Sequence, residues 1–180
     1  MSGPSIYLRL IEEADTEAIL DLCLRNRSFL QPFEPIRPDT YFTIAGQRIL
    51  IEEAVARQKA GIGYSFGIYL ASEDTLIGRL SISNIVRGAW ENGTVGYFID
   101  QACNGRGYMT EALRCAIRFA FEEAKLHRLQ AAVMPHNQAS IRVIEKNGFL
   151  YEGLAKYYLR IHGVWEDHLI YALTQENWSE

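Results

Sequence analysis

The sequence predicts an α/β chain that folds as one domain, residues 1–180, around a single mixed sheet with helices on its faces. Three observations carry that prediction. Strand-like and helix-like stretches alternate along the chain in the order strand, two helices, three strands, helix, strand, helix, two strands. A length of 180 residues is the size of one domain and long enough to bury most of its apolar surface. Residues 96–110 read as a short apolar strand, a glycine-punctuated turn and the start of an amphipathic helix.

The first strand is expected at residues 6–10. A helix follows near Asp15 and Thr16, whose side chains can cap its free amides, and Ile19, Leu22 and Cys23 keep helical spacing. Residues 31–39 hold three of the five prolines and read as an irregular loop. A second helix is expected over residues 42–59, ending at Gly61. Strands over residues 65–71 and 76–83 are joined by a turn at 72–75, and a third over 94–100 feeds the glycine turn.

From residue 110 to 125, Glu111, Arg114, Arg118, Glu122 and Lys125 share one helical face. Leu113, Ala116, Ile117, Ala120 and Ala124 occupy the other, the pattern of a helix laid on a sheet. A buried strand at 129–134 stops at Pro135. A helix at 138–146 ends at Asn147 and Gly148, residue types suited to a left-handed cap. Strands at 151–161 and 165–173 can pair across His162 and Gly163 as a hairpin.

Composition excludes several classes of function. A net charge of -4 and a pI near 5.6 argue against a protein that coats nucleic acid, and suit a basic partner. The N-terminal residues lack a basic flank followed by an apolar core, and no run approaches the 18 apolar residues of a membrane span. Cys23, Cys103 and Cys115 are odd in number and lack metal-ligand spacing. The expectation is a reduced, cytoplasmic protein without a metal centre.

Gly105 and Gly107 can take φ > 0 and carry no Cβ, so the turn can lay several N–H groups against an anion. The helix behind them adds its free amides and the positive end of its dipole. This is a phosphate cradle, although a helix that merely follows a flexible turn gives the same pattern. The turn lacks the Gly-Lys-Ser/Thr ending of a P-loop, which argues against a nucleotide hydrolase.

The cradle motif Asn104, Gly105, Arg106, Gly107 occurs with a second motif at residues 135–149 that includes Asn137, Ser140 and Gly148. Together with residues 26–35, 83–88, 153–158 and 165–168, these resemble the GNAT N-acetyltransferases over nearly the whole chain. The similarity is greatest to the RimJ/RimL type, the ribosomal-protein-alanine N-acetyltransferases. The resemblance implies a mixed, mostly antiparallel sheet of about seven strands with helices on both faces. Its two central strands would splay apart to form a wedge for acyl-CoA.

The resemblance further implies transfer of acetyl from acetyl-CoA to a primary amine by direct attack on the thioester. Pantetheine would run along the backbone of Phe98 and Ile99, and pyrophosphate would sit on Asn104, Gly105, Arg106, Gly107, Tyr108, Met109 and Thr110. Asn137 would contact the pantetheine arm, and Ser140 would protonate the departing thiolate. Many relatives carry a tyrosine acid where this chain has Ile144, and a glutamate base where it has Thr94. Glu91 is then the nearest carboxylate for the base, with Glu34 as another.

Residue types leave other roles open. Asn137 is also an ordinary helix N-cap, and Ser140 a local backbone partner. His136 and His168 are equally read as packed or surface groups, and Phe29, Phe33, Tyr157 and Tyr158 as a groove wall or as core. An α-amine of pKa near 7.7 to 8.0 is roughly 10 to 15% neutral at pH 7, against about 0.04% for lysine, so an enzyme without a strong base suits N-termini. The expected acceptor is a protein N-terminus, with a ribosomal protein as one candidate. A small amine acceptor, or a non-catalytic acyl-CoA-binding module, are the alternatives. The expected assembly is a monomer or a homodimer.

Overall fold

The computed structural model describes residues 3–179. Seven strands form one sheet in the order β1-β2-β3-β4-β5-β7-β6. They are β1 Ile6–Leu10, β2 Tyr64–Leu70, β3 Thr75–Val86, β4 Asn92–Ile99, β5 Arg128–Val133, β6 Leu150–Ile161 and β7 Val164–Thr174. Every neighbouring pair is antiparallel except β4 and β5. This is the mixed, mostly antiparallel sheet that the resemblance implies.

Helices α1 (Thr16–Arg25), a short α2 (Arg27–Leu30) and α3 (Ile44–Lys59) precede β2, while α4 (Tyr108–Arg118) and α5 (Gln138–Lys146) flank β5 in sequence. Alternation along the strands divides the core between the two faces. Ile6, Leu8, Phe66, Leu80, Ile82, Val95 and Ile99 pack against Leu113, Ala116 and Ile117 of α4 and Ile141 and Ile144 of α5. On the other face Tyr69 and Leu76 meet Ile19, Leu22 and Cys23 of α1 and Ile51 of α3.

Four local expectations change. Asp15 does not cap α1: its carboxylate accepts from Arg9 at 2.6 and 3.1 Å, from the Tyr69 hydroxyl at 3.0 Å and from the Glu12 N–H at 2.8 Å. Helix α3 begins at Ile44, after a single 3-10 turn, because the Thr43 hydroxyl caps it by accepting from the Gly46 N–H at 3.1 Å. The amphipathic run to residue 125 is α-helical only to Arg118 and continues as a π turn, Phe119–Glu123. There Phe119 lies edge-on to Tyr64 and Phe66, with ring centroids 4.8 and 5.1 Å apart. At the end of α5, Gly148 alone takes the left-handed conformation, with φ +80°. The β6–β7 hairpin turns at His162 and Gly163, both with φ > 0 as a two-residue I′ turn requires.

Candidate active site

The parallel pair at the centre of the sheet is short. Strands β4 and β5 pair only from Asn92 to Thr94 against Arg128 to Gln130. Beyond those rungs β4 stays with β3 through Ile99, and β5 stays with β7 through Val133. The two strands therefore fork, and among the described residues no strand pairs with the β5-facing edge of Tyr97, Phe98 and Ile99. An open strand edge inside a sheet is a row of backbone donors and acceptors for a linear ligand. Thr94 stands at the fork itself.

At the wide end of the fork lies the glycine turn. Asp100 begins a 3-10 turn, Gln101–Cys103, and is fixed from α1 by an Arg25 ion pair at 2.6 Å. Asn26 adds a side-chain acceptor for the Gln101 N–H at 2.9 Å. The chain then runs Asn104, Gly105, Arg106, Gly107, with φ +75° at Gly105 and +83° at Gly107. A Cβ at either glycine would meet nothing within 4 Å, so space beside them is open and the backbone conformation is what demands glycine. Gly107 is the N-cap of α4 and supplies no side-chain cap, which leaves the first amides of Tyr108, Met109 and Thr110 for an anion.

Asn137 ends the loop after β5 and caps α5, its side-chain oxygen accepting from the Ser140 N–H at 3.1 Å. The capping role read from the sequence is thus present, and the amide Nδ2 donates to no described residue. Ser140 is half-buried in the first turn of α5. Its hydroxyl meets the Tyr97 hydroxyl of β4 at 3.0 Å, so one hydrogen bond spans the fork. Burial pushes the Tyr97 phenol up to about 12, against a smaller lowering by Ser140. The phenol is therefore a neutral O–H donor at any physiological pH. Ile144 is fully buried in the core.

Glu91 is placed differently from a base at the fork. It occupies the turn before β4 with φ +42°, and its carboxylate accepts from Arg87 at 3.0 Å and from the Gly88 N–H at 2.9 Å. Those two donors, Arg87 foremost, hold its pKa below the usual carboxylate value. Its carbonyl receives the N–H groups of His127 and Arg128, which fastens the turn to the start of β5. Glu34, in contrast, faces the α3 side of the sheet and lines two adjoining cavities of about 330 and 180 Å³. The larger has Arg79 and Ser81 of β3 and Gly96 and Phe98 of β4 along it, so it opens beside the unpaired edge.

The aromatic residues divide. Phe29 and Phe33 are half-buried with centroids 6.5 Å apart, and Phe33 reaches His136 at 6.1 Å. Tyr157 is 72% exposed at a break in the β6–β7 register, with φ +51°. His168 is buried, with Nδ1 3.0 Å from the Glu166 carbonyl. Two site residues escape the sequence reading. Tyr97 alternates onto the core side of β4 and looks like packing, while its partner is 43 residues away. Arg79 had a visible signal, a single charge inside an apolar strand.

Residues 5–150 match the family described as the Acetyltransferase (GNAT) domain. The chain is 47% identical to the Probable N-acetyltransferase YjcK of Bacillus subtilis over 173 residues, covering 96% of each. It is 36% identical to the [Ribosomal protein uS5]-alanine N-acetyltransferase of Escherichia coli, over 97% of this chain and 90% of the relative. Among solved structures, the ribosomal-protein-S5-alanine acetyltransferase of Vibrio fischeri superposes with a TM-score of 0.94 at 34% identity, covering 100% of this chain and 98% of that one. RimJ of Mycobacterium smegmatis, solved in complex with CoA-disulfide, gives 0.91 at 30% identity, over 97% of this chain and 87% of that one. With a forked central sheet, an uncapped glycine turn and relatives of this identity along nearly its full length, the chain belongs to the GNAT acetyltransferases, of the RimJ/RimL type.

Proposed function

We propose that this protein transfers acetyl from acetyl-CoA to the N-terminal α-amine of a protein, and that the whole chain works as one catalytic domain. One observation carries the reading: the open edge of Tyr97, Phe98 and Ile99 runs from the uncapped glycine turn to the Ser140–Tyr97 hydroxyl pair. The cradle fits a pyrophosphate, because Gly105 and Gly107 leave room for close approach and α4 offers free amides. The open edge fits the amides of pantetheine, with the uncommitted Nδ2 of Asn137 across the fork. The names of the relatives in Escherichia coli and Vibrio fischeri support a protein alanine N-terminus as acceptor. Three free thiols accord with a reducing cytoplasm.

In the chemical step the neutral amine attacks the thioester carbonyl, the C–N bond forms and the C–S bond breaks. Ser140 gives its proton to the departing sulfur and takes one back from solvent, while Tyr97, still protonated, steadies the serine oxygen from behind. The amine sheds its extra proton to solvent, since Thr94 is no base and Glu91 is held by Arg87. Making lysine neutral would cost about 3 kcal/mol more than an α-amine, which favours N-termini. Release of free thiol with peptides beginning Ala, Ser or Met tests the reading, with mass spectrometry to place the acetyl group. Acetylation at the N-terminus supports it, whereas turnover of small amines alone, or acetyl-CoA binding with no turnover, refutes it.

A further inference from the structure

The two cavities on the α3 side share Glu34, Arg37 and Tyr41 and form one trough that ends at the β4 edge. Its charge runs against that of the chain. The protein carries -4 overall, yet the trough is lined by Arg27, Arg37, Arg57 and Arg79 against the single carboxylate of Glu34. Three of these arginines have weak partners. Arg27–Asp39, Arg37–Glu34 and Arg57–Glu53 stand at 3.4, 3.4 and 3.5 Å, long for ion pairs, and the first and last are largely exposed while Arg37–Glu34 is partly buried.

Arg79 is different. It rises from the middle of the sheet, in register with Phe98 of β4, and lies partly buried beside the Cys23 thiol and the Tyr41 hydroxyl. Among the described residues it enters no ion pair. A partly buried guanidinium without a carboxylate is a costly arrangement that an anionic ligand relieves. Arg37 stacks on Tyr41 at 4.7 Å and Arg27 on Phe42 at 4.1 Å, so these guanidinium planes are held in place, each with one long 3.4 Å contact to a carboxylate and further N–H groups to offer.

We propose that this trough selects acceptor chains with Asp or Glu within about the first four residues, paired to Arg79 and Arg37. The proposal rests on the N-terminal acetyltransferase reading above and names its substrate class. Reach supports it: the Arg79 and Phe98 strands lie about 5 Å apart and an extended peptide advances about 3.3 Å per residue, which brings residues two to four of an acceptor beside Arg79. Without such an acid, an incoming ammonium group meets four arginines and is repelled.

The test compares peptides Ala-Glu, Ala-Gln and Ala-Lys, and the same changes at position three, on an otherwise fixed sequence. For the unaltered protein the Glu peptide should exceed the Gln peptide by about tenfold in kcat/KM, the worth of one charge-assisted hydrogen bond, with Lys lower still. Added salt should shrink the ratio. Arg79→Gln should cut it to about twofold, and Arg79→Lys should restore part of it. Acetyl-CoA affinity reports that each variant is folded. Equal rates for Glu and Gln, a Lys preference, or a Glu preference that survives both Arg79→Gln and Arg37→Gln overturns the proposal while leaving peptide acetylation intact. Absence of turnover on every peptide overturns this proposal and the function it rests on together.

Discussion

The Tyr97 and Ser140 hydroxyls approach from a strand and a helix and meet at 3.0 Å in the floor of the fork. If Tyr97 directs its proton at the serine oxygen, the serine proton is free for the leaving sulfur. Because a thiol of pKa near 8.5 departs tolerably unaided, Ser140→Ala should lower kcat by about 10² without abolishing turnover. Tyr97→Phe should lower kcat by about tenfold, and the double variant should be no worse than Ser140→Ala alone, since the two act as a unit. Steady-state kinetics with saturating acetyl-CoA measures all three. A double variant that multiplies the two losses would show that Tyr97 does not act through Ser140.

Among the elements, β1, β2 and the approach to α1 are joined by one polar cluster under the apolar face. Asp15 is only 6% exposed, so burial by itself would raise its pKa. The Arg9 pair, the Glu12 N–H and the Tyr69 hydroxyl outweigh that and hold it below the usual carboxylate value. A depressed folded-state pKa gives stability that is full above the unfolded value of about 3.9 and drains away as pH falls below that value through the lower folded-state one. Asp15→Asn should therefore cost about 2 kcal/mol at pH 7 and much less near pH 3, read from urea unfolding of the variant and the parent. An equal cost at both pH values would mean that packing, and not charge, sets the loss. The same cluster explains why Asp15 does not cap α1: Arg9 and Tyr69, distant in sequence, take the oxygens that a local reading gives to the helix amides.

For the molecule as a whole, the proposed function makes the fork decide which amine reacts. No carboxylate stands at the Thr94 rung, so kcat/KM for an N-terminal amine should rise tenfold per pH unit and level near pH 8, the α-amine value. It should stay level to about pH 10, because Tyr97 keeps its proton to about 12. A pH-rate profile that levels near 6 would reveal a protein base. Length, alternation and the glycine turn were enough to predict one mixed sheet, the order of its strands and longer helices along the chain and the place of the glycine turn, since those depend on local periodicity and on glycine's access to φ > 0, while the short α2 went unpredicted. The residues could not show that β4 and β5 pair for three rungs and then part, because a strand's neighbours are absent from its own sequence. Nor could they show that Tyr97 faces Ser140, that Glu91 is held by Arg87, or that four arginines gather in an acidic chain. The sequence determined which segments are strands, helices and a left-handed glycine turn, because backbone preference acts over a few residues. Only tertiary structure decided which side chains share the fork and the trough, because those contacts join strands and helices that the chain itself holds far apart.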